Sequence, residues 1–144
     1  MNRKQLQLEI CKALLDGRQR IGGGKINDTE YAFTSDGISC TVFSEKEIIF
    51  DTSKVNPLDI SQLLEDKAND KEITETGTIF KQSIHTLVEL AADNLFIYAD
   101  PKLCSRFKGY KMFAFEPLGR ILVKDDYGQL IGAFLPIRRK DKSK

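Results

Sequence analysis

The chain has 144 residues, of which 41% are apolar and 30% charged, a composition typical of one folded globular domain and too apolar for a disordered chain. Its 22 basic and 21 acidic residues leave a formal net charge of +1, which argues against a strongly basic nucleic-acid binder. One histidine and no tryptophan exclude most metal sites and most histidine-dependent catalytic schemes. We expect no metal, no cofactor and no catalytic residue.

The three cysteines, Cys11, Cys40 and Cys104, are odd in number and lack C-x-x-C spacing, which argues against a disulfide framework and a zinc site. All three have apolar neighbours and are predicted to be buried. A reactive thiol would need a basic, partly exposed setting, which only Cys104 has, between Lys102 and Arg106. The chain has no apolar run long enough for a signal peptide or a membrane span, so we predict a cytoplasmic protein without membrane contact.

The first predicted element is a helix, whose apolar stripe is Leu6, Ile10, Ala13 and Leu14. Asn2 is its predicted cap and Gly17 its end. The segment RQRIGGGK (18–25) predicts a basic loop, because three glycines favour neither helix nor strand. The segment does not match the phosphate-loop pattern G-x-x-x-x-G-K-[ST], because Gln19 stands at the position of the first glycine and Ile26 at that of the serine or threonine.

The segment YAFTSDGISCTVF (31–43) predicts a β-hairpin with a type I′ turn at Asp36-Gly37. In its second strand, apolar Ile38, Cys40 and Val42 alternate with polar residues. A turn at 44–47 and a third strand at 48–51 would complete an antiparallel meander.

Asn56 and Pro57 predict the start of a helix over 56–67, and the polar segment 68–77 predicts a loop. Six acidic and two basic residues lie between positions 59 and 75. We expect a solvated surface there, with an acidic patch for a basic partner as the alternative. A further helix is predicted over 80–94, with His85 on it in a structural or solvated role.

The C-terminal part predicts a strand at 95–101, a short helix from Pro101 to Gly109, and three strands at 111–117, 119–125 and 128–137. Asp125 and Asp126 are expected to form a turn. The chain then reads as two pseudo-repeated units, each a helix followed by a three-stranded antiparallel meander. Joining them edge to edge would form one sheet covered by helices, an α+β fold. We predict a single domain over 1–137 and a basic, flexible tail over 138–144.

This arrangement resembles the bacterial DNA sliding clamp, whose domains contain two β-α-β-β-β units. The resemblance rests on the D-G hairpin of 31–43 and on the stretch 95–138, which ends in FLPIR (134–138). It implies helices that present basic residues to DNA. The chain departs from clamps in three respects: it holds only one such domain, it lacks a strand before the first helix, and it has an extra acidic segment at 65–76.

The predicted partner-binding or nucleic-acid-binding residues are all basic: Arg3, Lys4, Lys12, Arg18, Arg20, Lys25, Lys102, Arg106, Lys108, Arg138, Arg139 and Lys140. Lys102, Arg106, Lys108 and Lys111 are interleaved with the aromatic residues Phe107, Tyr110, Phe113 and Phe115. A core role for these rings is expected, and base stacking is the alternative.

We therefore predict a non-enzymatic binding protein of a phage or mobile element. It would engage a protein partner in replication or host-defence machinery through a clamp-like domain, and a homo-oligomer is compatible with this prediction. One alternative is a DNA-binding accessory protein. The other is an enzyme or small-ligand binder with a site between the half-sheets, which would require a pocket lined by a group of perturbed pKa.

Overall fold

Strands dominate the computed structural model, which describes residues 3–17, 21–26, 30–57 and 61–139. The helices are α1 (Arg3–Leu15), α2 (Ser61–Leu64) and α3 (Pro101–Arg106), with 3₁₀ turns at Glu45–Glu47 and Thr52–Lys54. The strands are β1 (Gly22–Ile26), β2 (Glu30–Thr34), β3 (Ser39–Ser44), β4 (Asn56–Pro57), β5 (Lys71–Gln82), β6 (His85–Ala92), β7 (Leu95–Ala99), β8 (Lys111–Ala114), β9 (Ile121–Lys124) and β10 (Leu130–Phe134).

These strands form one sheet in the order β4-β1-β2-β3-β10-β9-β8-β5-β6-β7. All neighbours are antiparallel except the two-residue β4, which runs parallel to β1. The predicted α+β class is therefore confirmed for the described residues, with much more strand and less helix than predicted.

Two three-stranded meanders, β1-β2-β3 and β8-β9-β10, meet at β3 and β10. At this junction Thr41 pairs with Gly132 and Cys40 with Ala133. Residues 39–43 are all buried, because both faces of β3 are covered. The predicted alternation of buried and exposed positions in this strand is therefore wrong. The equivalence of the two halves as repeats stays a prediction.

The helices cover separate parts of the core. Ile10 and Ala13 of α1 pack with Phe33 and Phe43 of the first meander. In the largest cluster, Leu103 of α3 and Phe107 directly after this helix pack with strands β5–β10. The Phe107 ring stacks on that of Phe134 at a centroid distance of 5.8 Å. Burying a large apolar side chain of this kind contributes about 1.5–3 kcal/mol.

The hairpin of 31–43 is confirmed, but its turn is not type I′. That turn needs a positive φ at both central residues, whereas only Gly37 has one, at 76°. Instead, the Asp36 carboxylate organises the loop by accepting hydrogen bonds from the backbone N–H groups of Ile38 and Ser39, at 3.0 and 2.9 Å. The first helix is also confirmed, and its predicted cap Asn2 lies outside the described residues. The predicted strand at 95–101, the short helix after it and the three C-terminal strands are confirmed with shorter bounds.

The predicted loop at 18–25 is wrong over its described part, because residues 22–26 form β1. Its glycines allow close packing on β2: a Cβ at Gly23 would overlap the Tyr31 ring and approach the carbonyl oxygen of Ala32 to 3.0 Å. Small residues are therefore what the strand requires, which propensity alone does not indicate. Residues 18–20 lie outside the described part.

The predicted third strand at 48–51 is also wrong. Ser44 and Asp51 cap two 3₁₀ turns, and the Ile49 backbone N–H donates to the Gln7 side chain at 2.9 Å rather than to a neighbouring strand. The predicted helix over 56–67 is reduced to four residues. Asn56, its predicted cap, lies in β4 beside β1, and residues 58–60 lie outside the described part.

The predicted loop at 68–77 is confirmed only for residues 68–70, and the predicted helix at 80–94 is wrong, because residues 71–82 and 85–92 form the long hairpin β5–β6. Leu87 and Leu90 have helical spacing but lie on opposite faces of β6, and both faces are covered there. The turns fall at Ser83 and Asp93, non-glycine residues with φ of 58° and 51°. His85 lies exposed at the hairpin tip, paired with Gln82.

Candidate interaction surfaces

The outer face of α1 combines exposed leucines with lysines. Leu8 and Leu15 are 54% and 88% exposed, and Lys4 and Lys12 are exposed beside them. Positions four and seven apart share one face of an α-helix, so these four side chains form one surface, which we call the α1 face. The lysines were predicted from the sequence as residues off the apolar stripe. The leucines were not predicted as a surface, because the stripe on the opposite side of the helix already accounted for the helical spacing of apolar residues.

The other predicted basic residues are spread over the molecule. Lys25 is exposed on β1 and pairs with Glu45 at 3.6 Å. Lys102 and Lys108 are exposed near the two ends of α3. The backbone of Arg3 starts α1. Arg18, Arg20 and Lys140 lie outside the described residues.

Arg106 is half-buried and joins α3 to the hairpin loop. Its guanidinium donates to the Ser39 hydroxyl at 2.8 Å and lies 3.7 Å from the Asp36 carboxylate. Burial of Asp36 would raise its pKa, but hydrogen bonds from the Ile38 and Ser39 backbone, the Ser39 hydroxyl and the charge of Arg106 together lower it. These contacts hold the hairpin against α3. Arg106, which was predicted to bind a partner, therefore has a structural role here.

The aromatic residues of 107–115 lie mainly in the core, which supports the first of the two interpretations. Phe107 is buried, and Phe113 packs against the cluster between the two meanders. The Arg120 guanidinium carbon lies 5.1 Å from the centre of the Phe115 ring. Tyr110 is the exposed member of the four.

Arg120 and Asp70 form a buried ion pair that the sequence did not predict. The guanidinium donates to both carboxylate oxygens at 2.7 and 2.8 Å and to the Glu65 carbonyl at 2.8 Å. The side chains are 4% and 11% exposed. Burial would raise the pKa of Asp70, but hydrogen bonds from Arg120 and the Lys67 backbone outweigh it and lower the pKa. Fifty residues separate the partners, so no local pattern predicts the pair.

Part of the predicted acidic patch is therefore neutralised within the protein. Besides Asp70, the Asp66 carboxylate accepts a hydrogen bond from Lys124 at 2.6 Å. Glu72 and Glu75 remain exposed on β5. The acidic segment thus serves to hold its own backbone against β9.

The thiols of Cys40 and Cys104 are unreactive by environment. Burial raises the pKa of Cys40 to about 12. Burial, with the charges of Glu75 and Asp100 adding to it, raises the pKa of Cys104 to about 11. A raised pKa removes the thiolate at neutral pH, which argues against the reactive Cys104 considered from its basic neighbours.

We expect a thiol reagent such as Ellman's reagent at neutral pH to label the folded protein first at Cys11, which is partly exposed. Cys40 and Cys104 should react only after unfolding in denaturant. Counting labelled thiols over time, with peptide mapping to locate them, measures this order. Labelling of Cys104 as fast as that of Cys11 would contradict the assignment.

Two open clefts are formed by residues within the described ranges. One, of about 640 Å³, is lined by residues of both meanders, among them Lys25, Glu30, Lys124 and Leu130, and by Asp66. The other, of about 370 Å³, lies between α3, β5 and β8. Of the described residues with shifted pKa values, Asp36, Cys40, Asp70 and Cys104, the last alone lines one of these two clefts, and its raised pKa of about 11 favours the protonated thiol at neutral pH.

Within the described ranges, no group of three or more His, Cys, Asp or Glu side chains is arranged to hold a metal ion. None of the helices described is both long and apolar enough to cross a bilayer. Comparison of the chain with protein-family models, curated proteins and solved structures gave no match.

Proposed function

We propose that this protein is a non-enzymatic binding module that engages a protein partner through the α1 face. The observation that carries the proposal is the exposure of Leu8 and Leu15 on a helix whose other side is packed into the core. Two leucines exposed together on one face of an anchored helix are a feature of interaction sites, whereas single exposed apolar side chains are common on any protein surface. Lys4 and Lys12 beside them favour a partner with carboxylates around an apolar centre.

The composition of the α1 face favours protein over nucleic acid. Protein interfaces combine an apolar centre with a polar rim, which matches leucines beside lysines. Contacts to DNA are made mostly to phosphates by cationic and polar groups, and the leucines would have no role there. Direct DNA binding is therefore the alternative that the experiment below tests.

The finer proposal follows from the resemblance to sliding clamps: a protein of a phage or mobile element whose partner belongs to replication or host-defence machinery. Two antiparallel meanders joined through β3 and β10, with α1 packed on one of them, support it.

The double variant L8E/L15E is expected to lose at least about tenfold in partner binding, because apolar anchors at an interface centre dominate affinity. Quantitative affinity capture from the native host, with cross-linking and mass spectrometry, measures this loss against wild type. L118E is the matched control, since Leu118 is an exposed leucine in the turn before β9. Thermal melts of all variants check folding.

Equal capture of the same proteins by L8E/L15E and by wild type would contradict the proposal. Gel shifts with duplex DNA at two salt concentrations test the alternative. Binding that weakens in K4A/K12A but not in the charge-neutral L8A/L15A, and that falls steeply with salt, would replace the protein partner by DNA.

A further inference from the structure

A small aromatic and acidic site lies on the outer side of the hairpin β5–β6 and strand β7. The rings of Phe80 and Tyr98 meet edge to face, with centroids 5.5 Å apart. The Tyr98 hydroxyl donates to the Glu89 carboxylate at 3.1 Å, and the Thr76 hydroxyl donates to its other oxygen at 2.8 Å. The strands thus hold both rings and the carboxylate in place by contacts among themselves.

The chain's own C-terminal segment occupies this site. The Arg139 guanidinium lies 3.7 Å from the centre of the Phe80 ring and 5.3 Å from that of Tyr98, and it donates to the Tyr98 hydroxyl at 3.2 Å. The Ile137 backbone N–H donates to the Tyr98 carbonyl at 2.7 Å. The Gln82 amide donates to the Arg138 carbonyl at 3.2 Å.

We propose that this site binds an arginine-bearing extended segment of another protein, and that residues 137–139 cover it as a competing ligand. The rings and the Tyr98 hydroxyl suit a planar guanidinium, which stacks on aromatic faces better than an ammonium does. The Glu89 carboxylate adds charge complementarity to a basic segment and disfavours nucleic acid. Because residues 137–139 occupy the site with an arginine on extended backbone, they indicate the kind of ligand that the site accepts.

The edge of β7 offers an incoming segment more than the cover uses. β7 is the last strand of the sheet, so its outer backbone groups are a template for a further strand. Phe96, 46% exposed, lies two residues before Tyr98 and therefore on the same face of β7. A partner segment with an apolar side chain beside its arginine would contact both rings of this strand.

The cover is held by few contacts, and Arg138 and Arg139 are exposed. Cation–π contacts and hydrogen bonds at exposed positions contribute modestly, so the segment can detach while the sheet stays folded. A partner that pairs with more of β7 would then displace it. This surface is separate from the α1 face. It takes a basic segment, whereas the lysines of the α1 face favour an acidic partner.

The test uses the full-length double variant I137P/R139A, which removes both the backbone donor and the guanidinium of the cover. The probe is a fluorescein-labelled peptide of sequence FLPIRRK, and its binding is followed by anisotropy. We expect the peptide to bind the double variant at least about tenfold more tightly than it binds wild type, in which the cover competes. A peptide with alanine at its second arginine should lose this binding.

Adding F80A to the double variant should abolish peptide binding, whereas adding Y127A, at an exposed tyrosine in another turn, should not. If F80A impairs folding by circular dichroism, E89Q replaces it and should weaken binding. Equal binding to wild type and double variant, or binding insensitive to Phe80 and Glu89, would overturn the proposal. A wild-type dimer that R139A dissociates, seen by light scattering, would also overturn it by making a second copy the occupant.

Discussion

The D70N variant is expected to lose about 3–5 kcal/mol of unfolding free energy, because it leaves the Arg120 guanidinium buried without its counter-charge. Arg120 is 4% exposed, and its Nε has no hydrogen-bond partner among the described residues, so without Asp70 only the Glu65 carbonyl and the Phe115 ring would face the charge. The asparagine keeps the shape of the side chain, which makes charge the main change. Urea denaturation followed by circular dichroism measures the loss.

D66N is the matched control. Asp66 also pairs with a basic residue of β9, Lys124, but it is 71% exposed. Exposed ion pairs contribute about 0–1 kcal/mol, so D66N should remain within about 1 kcal/mol of wild type. If D70N were as stable as D66N, the Arg120–Asp70 pair would not be the anchor that we infer.

The effect of D70N should also depend on pH. The folded state lowers the pKa of Asp70 below its ordinary 3.8, so the ionised carboxylate stabilises the folded protein above that value. This contribution is lost as the pH falls through the lowered pKa. The stability difference between wild type and D70N should therefore be full at pH 7 and shrink below about pH 4.

G132A is expected to destabilise the protein by roughly 3 kcal/mol or more, at the upper end of overpacking effects. A Cβ at Gly132 would overlap the Cys40 carbonyl oxygen on β3 and lie 3.0 Å from the Phe107 ring. The backbone of β3 cannot move away without breaking the pairing that joins the two meanders. Urea denaturation measures the loss, and hydrogen exchange should show weaker protection in β3 than in β8.

G119A is the control, because it adds the same methyl group beside a side chain that can move. A Cβ at Gly119 would meet Cγ of Glu116 at 2.6 Å, and this exposed side chain has room to rotate; the Phe115 ring, at 3.1 Å, would have to shift only by a few tenths of an ångström. We expect a loss below about 1 kcal/mol. A G132A protein as stable as G119A would show that the strand junction is looser than its register indicates.

Local patterns predicted the elements whose signals are local. The stripe of α1, the turn residues of the hairpin at 31–43, and Pro101 at the start of α3 each determine structure within a few neighbouring residues. The hairpin β5–β6 had no such signal. Its first strand, β5, is polar because most of its side chains are exposed and it joins the sheet mainly through backbone hydrogen bonds. The helical spacing of Leu87 and Leu90 arises because each is buried on a different face of one strand.

Of the candidate surfaces, too, one followed from local sequence pattern and the other depended on the tertiary structure. The exposed lysines of the α1 face followed from their positions in the chain, since residues off an apolar stripe face outward. The stacking of Arg139 on Phe80 did not, because it depends on a long hairpin that the sequence analysis placed in a helix.

By itself, the order of residues determined an α+β chain with an amphipathic first helix, the hairpin at 31–43 and three C-terminal strands, because short-range propensity and turn chemistry act within single elements. Only the tertiary structure decided that Arg120 is neutralised by Asp70, that β3 joins β10, and that Arg139 lies over two rings. Each of these contacts joins residues tens of positions apart. Their energy arises from burial and pairing that exist only after the sheet has formed.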